Sequence, residues 1–206
     1  MAELKALLAK GFSSFKVDQL LSFLDHADRR IRLESQFELA NRKETKSLRA
    51  KAIDSKSALL PRLHALWGLG QLKARDRDLL KLICQDKDPE MRAQAARWAG
   101  DLGFDPDNLV PDLLRDPSPR VRLMAGIACG KLMSKEALEP LTKLIVDAGN
   151  KETVLRHAGI FGLAGVASPR ELKSLSEHSS EALRIAAVVA LRRQGAFEEL
   201  TAFPDD

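Results

Sequence analysis

Apolar positions in this chain recur at helical spacing and in blocks about 30 residues apart. Asp116-Pro117-Ser118-Pro119-Arg120-Val121-Arg122 runs into the small-residue stretch around Ala125 and Ala128. Thirty residues earlier, Asp86-Lys87-Asp88-Pro89-Glu90-Met91-Arg92 runs into Ala95, Ala99, Gly100 and Leu102 at matching offsets. Arginines stand at 32, 62, 92, 122, 156 and 184, in steps of 30, 30, 30, 34 and 28. A period of about 20–50 residues marks a stack of similar units that bury their apolar faces on one another. The pattern predicts an all-α fold, an α-α superhelix (solenoid) of about six two-helix repeats, in a single domain spanning 1–206.

Residues 1–16 read as an N-terminal cap, with Leu4, Leu7 and Leu8 on one helix face and a break at Gly11. Repeat one pairs helices at 17–25 and 31–40. Repeat two covers 45–72, its second helix opening at Pro61, because proline is tolerated in a first turn whose N–H groups have no helical partner. Repeats three to six are expected at 76–103, 109–133, 136–166 and 169–195, with a loop at 104–108 and extra residues at 147–150. The tail, 196–206, is expected to fray.

Composition agrees with helices. Charged residues make up 30%, aromatics only 5%, and Tyr is absent, unlike sandwiches and barrels built on aromatic and β-branched strands. No apolar run reaches the ~18 residues that span a bilayer, and the N-terminus lacks the layout of a secretory signal. Cys84 and Cys129 form no Cys-x-x-Cys pair, so buried free thiols are expected rather than a metal knuckle or disulfide framework. The net charge of +4 is uneven: residues 1–75 hold 15 Lys/Arg against 8 Asp/Glu, and 76–206 hold 18 against 21.

Small residues in each second helix set the packing: Ala65 and Gly68, Ala95 and Ala99, Ala125 and Ala128, Gly159 and Gly162, Ala187 and Ala190. They allow close helix approach, and larger side chains would overpack the seam by about 1–3 kcal/mol. The units resemble HEAT repeats, whose second helix reads Asp-x-x-Pro-x-Val-Arg-x-x-Ala-x-x-Ala-Leu-Gly, over residues 17–195. Two segments, from Phe23-Leu24-Asp25-His26-Ala27-Asp28-Arg29-Arg30-Ile31-Arg32 to Ala40 and from Arg62-Leu63-His64-Ala65-Leu66-Trp67 to Leu72, also resemble the HEAT segment of bacterial PVC-type haem-binding, dehydrogenase-like multidomain proteins. That resemblance implies an interdomain module, periplasmic if it comes from such a parent and cytoplasmic otherwise. It carries over no activity, since neither the propeller nor the haem domain is present.

The HEAT resemblance implies a structural ladder of Arg32, Arg62, Arg92, Arg122, Arg156 and Arg184. In it Asp86 and Asp116, six residues before their arginines, would pair with the arginines of their own and neighbouring units. His26, Lys56, Asn150 and His178 stand where Asp would, so those arginines are expected to take backbone carbonyls instead. Stacked guanidinium groups are also the chemistry that clamps phosphates or carboxylates. The ladder is the stronger reading, because buried charges are nearly always paired.

A binding ridge is expected on the second helices at Leu33, Phe37, Leu63, His64, Trp67, Arg97, Ile127 and Phe161, either as a partner groove or as interior packing. Arg42, Lys46 and Arg49, spaced as one helix face, form with Lys43, Lys51 and Lys56 a basic patch that could meet phosphates. The four histidines are scattered without metal-ligand spacing, so no metal or cofactor is expected. Trp98 with Asp101 is similar to the aromatic and acidic pair of HEAT-like alkylpurine DNA glycosylases. The leading expectation is a monomeric, non-catalytic scaffold binding a protein or neighbouring domain. A basic nucleic-acid binder and the glycosylase-like enzyme are the alternatives.

Overall fold

The computed structural model describes residues 7 and 9–203. Among them every regular element is a helix. Numbered from Val17, the α-helices are α1 (Val17–Phe23), α2 (Arg29–Asn41), α3 (Thr45–Ile53), α4 (Leu59–Gln71), α5 (Arg77–Cys84) and α6 (Pro89–Leu102). They continue as α7 (Pro119–Leu132), α8 (Leu138–Ala148), α9 (Thr153–Val166), α10 (Pro169–Lys173) and α11 (Glu181–Gln194), with 3₁₀ segments at Pro111–Arg115, Lys135–Ala137, Ser174–Glu177 and Glu198–Ala202. The fold is the all-α repeat solenoid class that the periodicity predicts. The chain divides into two compact units, Met1–Leu82 and Ile83–Asp206, and the division falls inside the third repeat.

Local chemistry starts and stops the second helices. Asp28 and Asp88 cap α2 and α6 by accepting from the N–H groups of Arg30 and Glu90, both at 2.8 Å. Pro89 and Pro119 occupy the first turns of α6 and α7, where a missing N–H removes no helical bond. Pro61 is likewise in the first turn of α4, which begins two residues before it, at Leu59. The stops repeat too: Lys43, Lys73, Gly103 and Met133, each 30 residues apart, have positive φ of 59°, 51°, 57° and 52°. This left-handed residue closes a helix end at little cost for Gly, but three of the four positions hold a side chain.

In the first unit α2 packs on α4, and α3 covers α4. In the second unit the second helices form a row, α6 on α7, α7 on α9 and α9 on α11, with α8 against α9 and α10 against α11. The row is tight enough to exclude a methyl group. A Cβ at Gly100 would sit 2.9 Å from Ala128 Cα, one at Gly130 2.8 Å from Phe161 O, and one at Gly162 2.6 Å from Gly126 O. The first unit differs: at Gly68 the nearest atoms would be the flexible Leu48 methyls at 3.2 Å.

Two first helices are shorter than the sequence reading expects. The Asp105 carboxylate accepts from the N–H groups of Leu109 and Val110, both at 2.9 Å, and this turn leaves room only for the 3₁₀ segment Pro111–Arg115. In repeat six the five-residue α10, fixed by a Ser168/Glu171 capping box, gives way to a 3₁₀ turn. The tail is also better held than expected: Phe203 is buried in the second unit's core beside Leu183, Ala187 and Leu191. At the other end Leu4 and Leu8 lie outside the described residues. There Phe12, Phe15 and Phe23 meet edge to face or tilted, 5.2–6.1 Å apart.

Candidate functional site

The arginine column forms by one local rule. Arg32 Nη1 donates to His26 O (2.7 Å) and Ala27 O (2.8 Å), Arg92 Nη1 to Asp86 O (2.7 Å) and Lys87 O, and Arg122 Nη1 to Asp116 O (2.9 Å) and Pro117 O. Arg184 Nη1 reaches His178 O at 3.0 Å. Each guanidinium thus holds the main chain five or six residues back and fixes the loop that precedes its own helix. This corrects the expected pairing of Asp116 with Arg122. The within-repeat partner is the carbonyl, which any residue provides, so the side chain there can vary.

What that side chain does is turn the loop. His26 Nδ1, Asp86 Oδ1, Asp116 Oδ1 and His178 Nδ1 each accept from the N–H two residues on, at 2.8–3.0 Å. An imidazole Nδ1 and a carboxylate Oδ1 lie about the same distance from the backbone, so histidine replaces aspartate in an Asx-like turn. The sequence offered a signal for this, a polar acceptor six before the arginine in five of the six repeats. Two positions depart from the rule. In repeat two the turn-forming residue is Asp54, accepting from Lys56 N–H at 3.1 Å, and the buried Arg62 donates from Nε to Ala52 O. In repeat five Asn150 Oδ1 accepts directly from Arg156 Nη1.

What the second edge of the guanidinium meets differs from level to level. Arg92 meets the carboxylate of the next repeat bidentately, Nε to Asp116 Oδ2 at 2.7 Å and Nη2 to Oδ1 at 2.9 Å. Burial works to raise the Asp116 carboxyl, but Arg92 and the Ser118 N–H outweigh it and hold it below the usual aspartate range. Arg32 instead donates from Nε to His64 Nε2 at 3.2 Å. Arginine can only donate, so Nε2 must carry the lone pair, and Nδ1–H then donates to Gln36 Oε1 at 2.7 Å. This fixes one neutral tautomer. Burial, with the positive charges of Arg32 and Arg29, lowers the His64 pKa to about 4. Arg122 has no partner for its Nε or Nη2 among the described residues.

The expected ridge is only partly a surface. Phe37 is 46% exposed, and Leu33, Trp67, Ile127 and Phe161 are half-buried. Leu63 and His64, at 5% and 2%, are interior, so these two are corrected to packing residues. The reason is register: His64 faces α2, where Gln36 and Arg32 engage the imidazole, and Leu63 is enclosed by packing. Trp67 packs edge to face on His64, ring centres 4.9 Å apart. Arg97 is exposed and pairs with Asp101 at 3.4 Å, and the Arg193 guanidinium lies 5.8 Å from the Phe161 ring centre.

The basic patch does not form as one helix face. Arg42 lies beyond the end of α2, where it bonds Glu38 and the carbonyls of Phe12, Ser13 and Phe15. Lys43 is the left-handed residue that follows, and α3 begins only at Thr45. Arg49 is bound to Asp76 at 2.7 Å, and Lys51 to Ser57 at 3.2 Å. Lys46 and Lys56 are exposed. Trp98 and Asp101 are not a base-holding pair either. The indole is buried, its Nε1 has no partner among the described residues, and Asp101 is on the surface between Arg97 and Lys131. Burial, with the nearby charge of Asp105, pushes the Cys84 and Cys129 thiols up to about 12, as expected for packed thiols. The described residues include no metal-binding cluster and no helix long and apolar enough to cross a membrane.

Comparisons with known proteins bear on the fold. No curated protein matches the chain. A solved structure described as an engineered protein is similar over 87% of this chain and 96% of its own length, with a TM-score of 0.51 and 16% identity, a likeness of fold alone. Neither comparison supports the haem-binding, dehydrogenase-like parent. Residues 77–164, which hold Arg92, Asp116, Arg122 and Arg156, match the family model for HEAT repeats.

Proposed function

We propose that this chain is a non-catalytic scaffold whose docking surface is centred on Phe37 and Trp67 and takes an apolar segment of a protein partner. HEAT repeats generally serve as protein-interaction scaffolds, which supports the class. The observation that carries the particular surface is the exposure of Phe37, next in sequence to Gln36, on a helix that packs against the one bearing Trp67. Trp67 rests on His64, His64 is held by Gln36 and Arg32, and Arg32 is held by the loop carbonyls. Aromatic side chains on a preorganised base are the usual anchors of protein interfaces. Arg42 and Arg49 are engaged internally, which disfavours the nucleic-acid reading, and the placement of Trp98 disfavours the glycosylase-like one.

The reading takes 1–206 as one functional domain. Its test is a photoreactive phenylalanine in place of Phe37 in the full chain. A discrete protein adduct that disappears with Trp67→Ala supports the surface. Partner binding that survives Phe37→Ala and Trp67→Ala together would place the interface elsewhere.

A further inference from the structure

The step from Arg122 to Arg156 is 34 residues where the preceding three are 30, and at this level the arginine column opens. α8 runs on to Ala148 and Gly149 turns the chain at φ +51°. Asn150, the residue placed to meet Arg122, is engaged by Arg156 and Glu181 instead. In place of a partner, Arg122 edges a cavity of about 470 Å³, within the roughly 300–1,000 Å³ of small-ligand clefts.

We propose that this cavity is a binding site for a ligand carrying one carboxylate on an apolar stem. Arg122 Nη1 is fixed by Asp116 O and Pro117 O, so Nε–H and Nη2–H form a preorganised fork. The molecule shows what that fork takes: the same edge of Arg92 binds the Asp116 carboxylate with two bonds of 2.7 and 2.9 Å. Pro140, Leu144 and Leu155 supply an apolar wall for the stem. The other cations on the lining are engaged, Lys143 with Asp147 and Arg115 with Glu139 and Asp112. The lining also holds Asp116, Asp147 and Glu152, and three carboxylates disfavour a doubly charged phosphate. The Glu152 carboxylate has no hydrogen-bond or ion-pair partner among the described residues. It competes with the ligand for Arg122 and sets the affinity low.

The test is a titration of the full chain, following the arginine Nε–H resonances, with benzoate and separately with a capped peptide bearing one glutamate beside a leucine. The Arg122 resonance should shift saturably with a dissociation constant on the order of 1 mM while that of Arg92 stays fixed. Glu152→Gln should tighten binding by roughly three- to tenfold, because it removes the competing charge without touching the fork. Stronger binding of the peptide assigns the carboxylate to a protein side chain, and stronger binding of benzoate assigns it to a small molecule. No saturable shift in either the native chain or Glu152→Gln, or equal shifts at Arg92 and Arg122, would overturn the site.

Discussion

Arg32 and Arg92 occupy the same position in the two units and hold their loops by the same carbonyls, yet one leans on a neutral imidazole and the other on a carboxylate. The packing beside them differs in the same sense. The first unit fills its seam with flexible side chains around Gly68, whereas the second brings backbone against backbone at Gly100, Gly130 and Gly162. One repeat pattern thus accommodates two kinds of interior, because its local rule involves only the main chain. The first unit should yield to acid, and the second to any added volume or lost charge.

The largest effect is expected from Arg92→Ala. It strands the Asp116 carboxylate, 9% exposed, and breaking such a pair costs about 3 kcal/mol or more. Arg32→Ala leaves only a neutral ring, and about 1 kcal/mol is expected. Equal losses in chemical denaturation would erase the distinction. Next comes volume. Gly162→Ala drives a methyl into Gly126 O and Leu141 and should lose about 2–3 kcal/mol. Gly68→Ala should be near neutral, because Leu48 can move and alanine favours helix by up to about 1 kcal/mol. Thermal melts of the pair check this.

Acid then separates the units. The His64 pKa is lowered when folded, so its stability is complete above about 6.5 and falls as pH drops from there through about 4, since the unfolded chain binds the proton first. About 3 kcal/mol should be lost over this window. Asp116, also lowered, stabilises above its ordinary value of 3.8 and loses that contribution only below it. Trp67 fluorescence, read in Trp98→Phe, should report the first change above pH 4. His64→Gln should remove the dependence in that window. The smallest effect is a gain: Met133→Gly relieves a left-handed residue that is 69% exposed and should raise stability by up to about 1 kcal/mol.

The repeat count, the arginine column, the proline-marked helix starts and the small-residue seams were legible because each rests on spacing along the chain. The left-handed stops were visible at Gly103 and Gly195, whereas Lys43, Lys73 and Met133 adopt the same backbone without the residue that advertises it. The two buried ridge positions and the basic patch differ from that reading for a related reason. Counting along an extended helix placed His64 outward and Arg42 on α3, whereas contacts from α2 and the turn at Lys43 decide both. The absent partner of Arg122 was foreshadowed by the 34-residue step, but spacing alone does not say whether a gap closes.

The same arginine position meets an imidazole at Arg32, a carboxylate at Arg92 and, among the described residues, no partner at the Nε and Nη2 edge of Arg122, and the whole comparison turns on this difference. Hydrogen exchange of the arginine Nε–H groups tests it most directly. Arg92 should be protected at every pH where the chain is folded, Arg32 should be protected at pH 7 and lose protection as pH falls through about 4, and Arg122 should exchange fast throughout. Arg122 protected like Arg92, or Arg32 indifferent to pH, would contradict it.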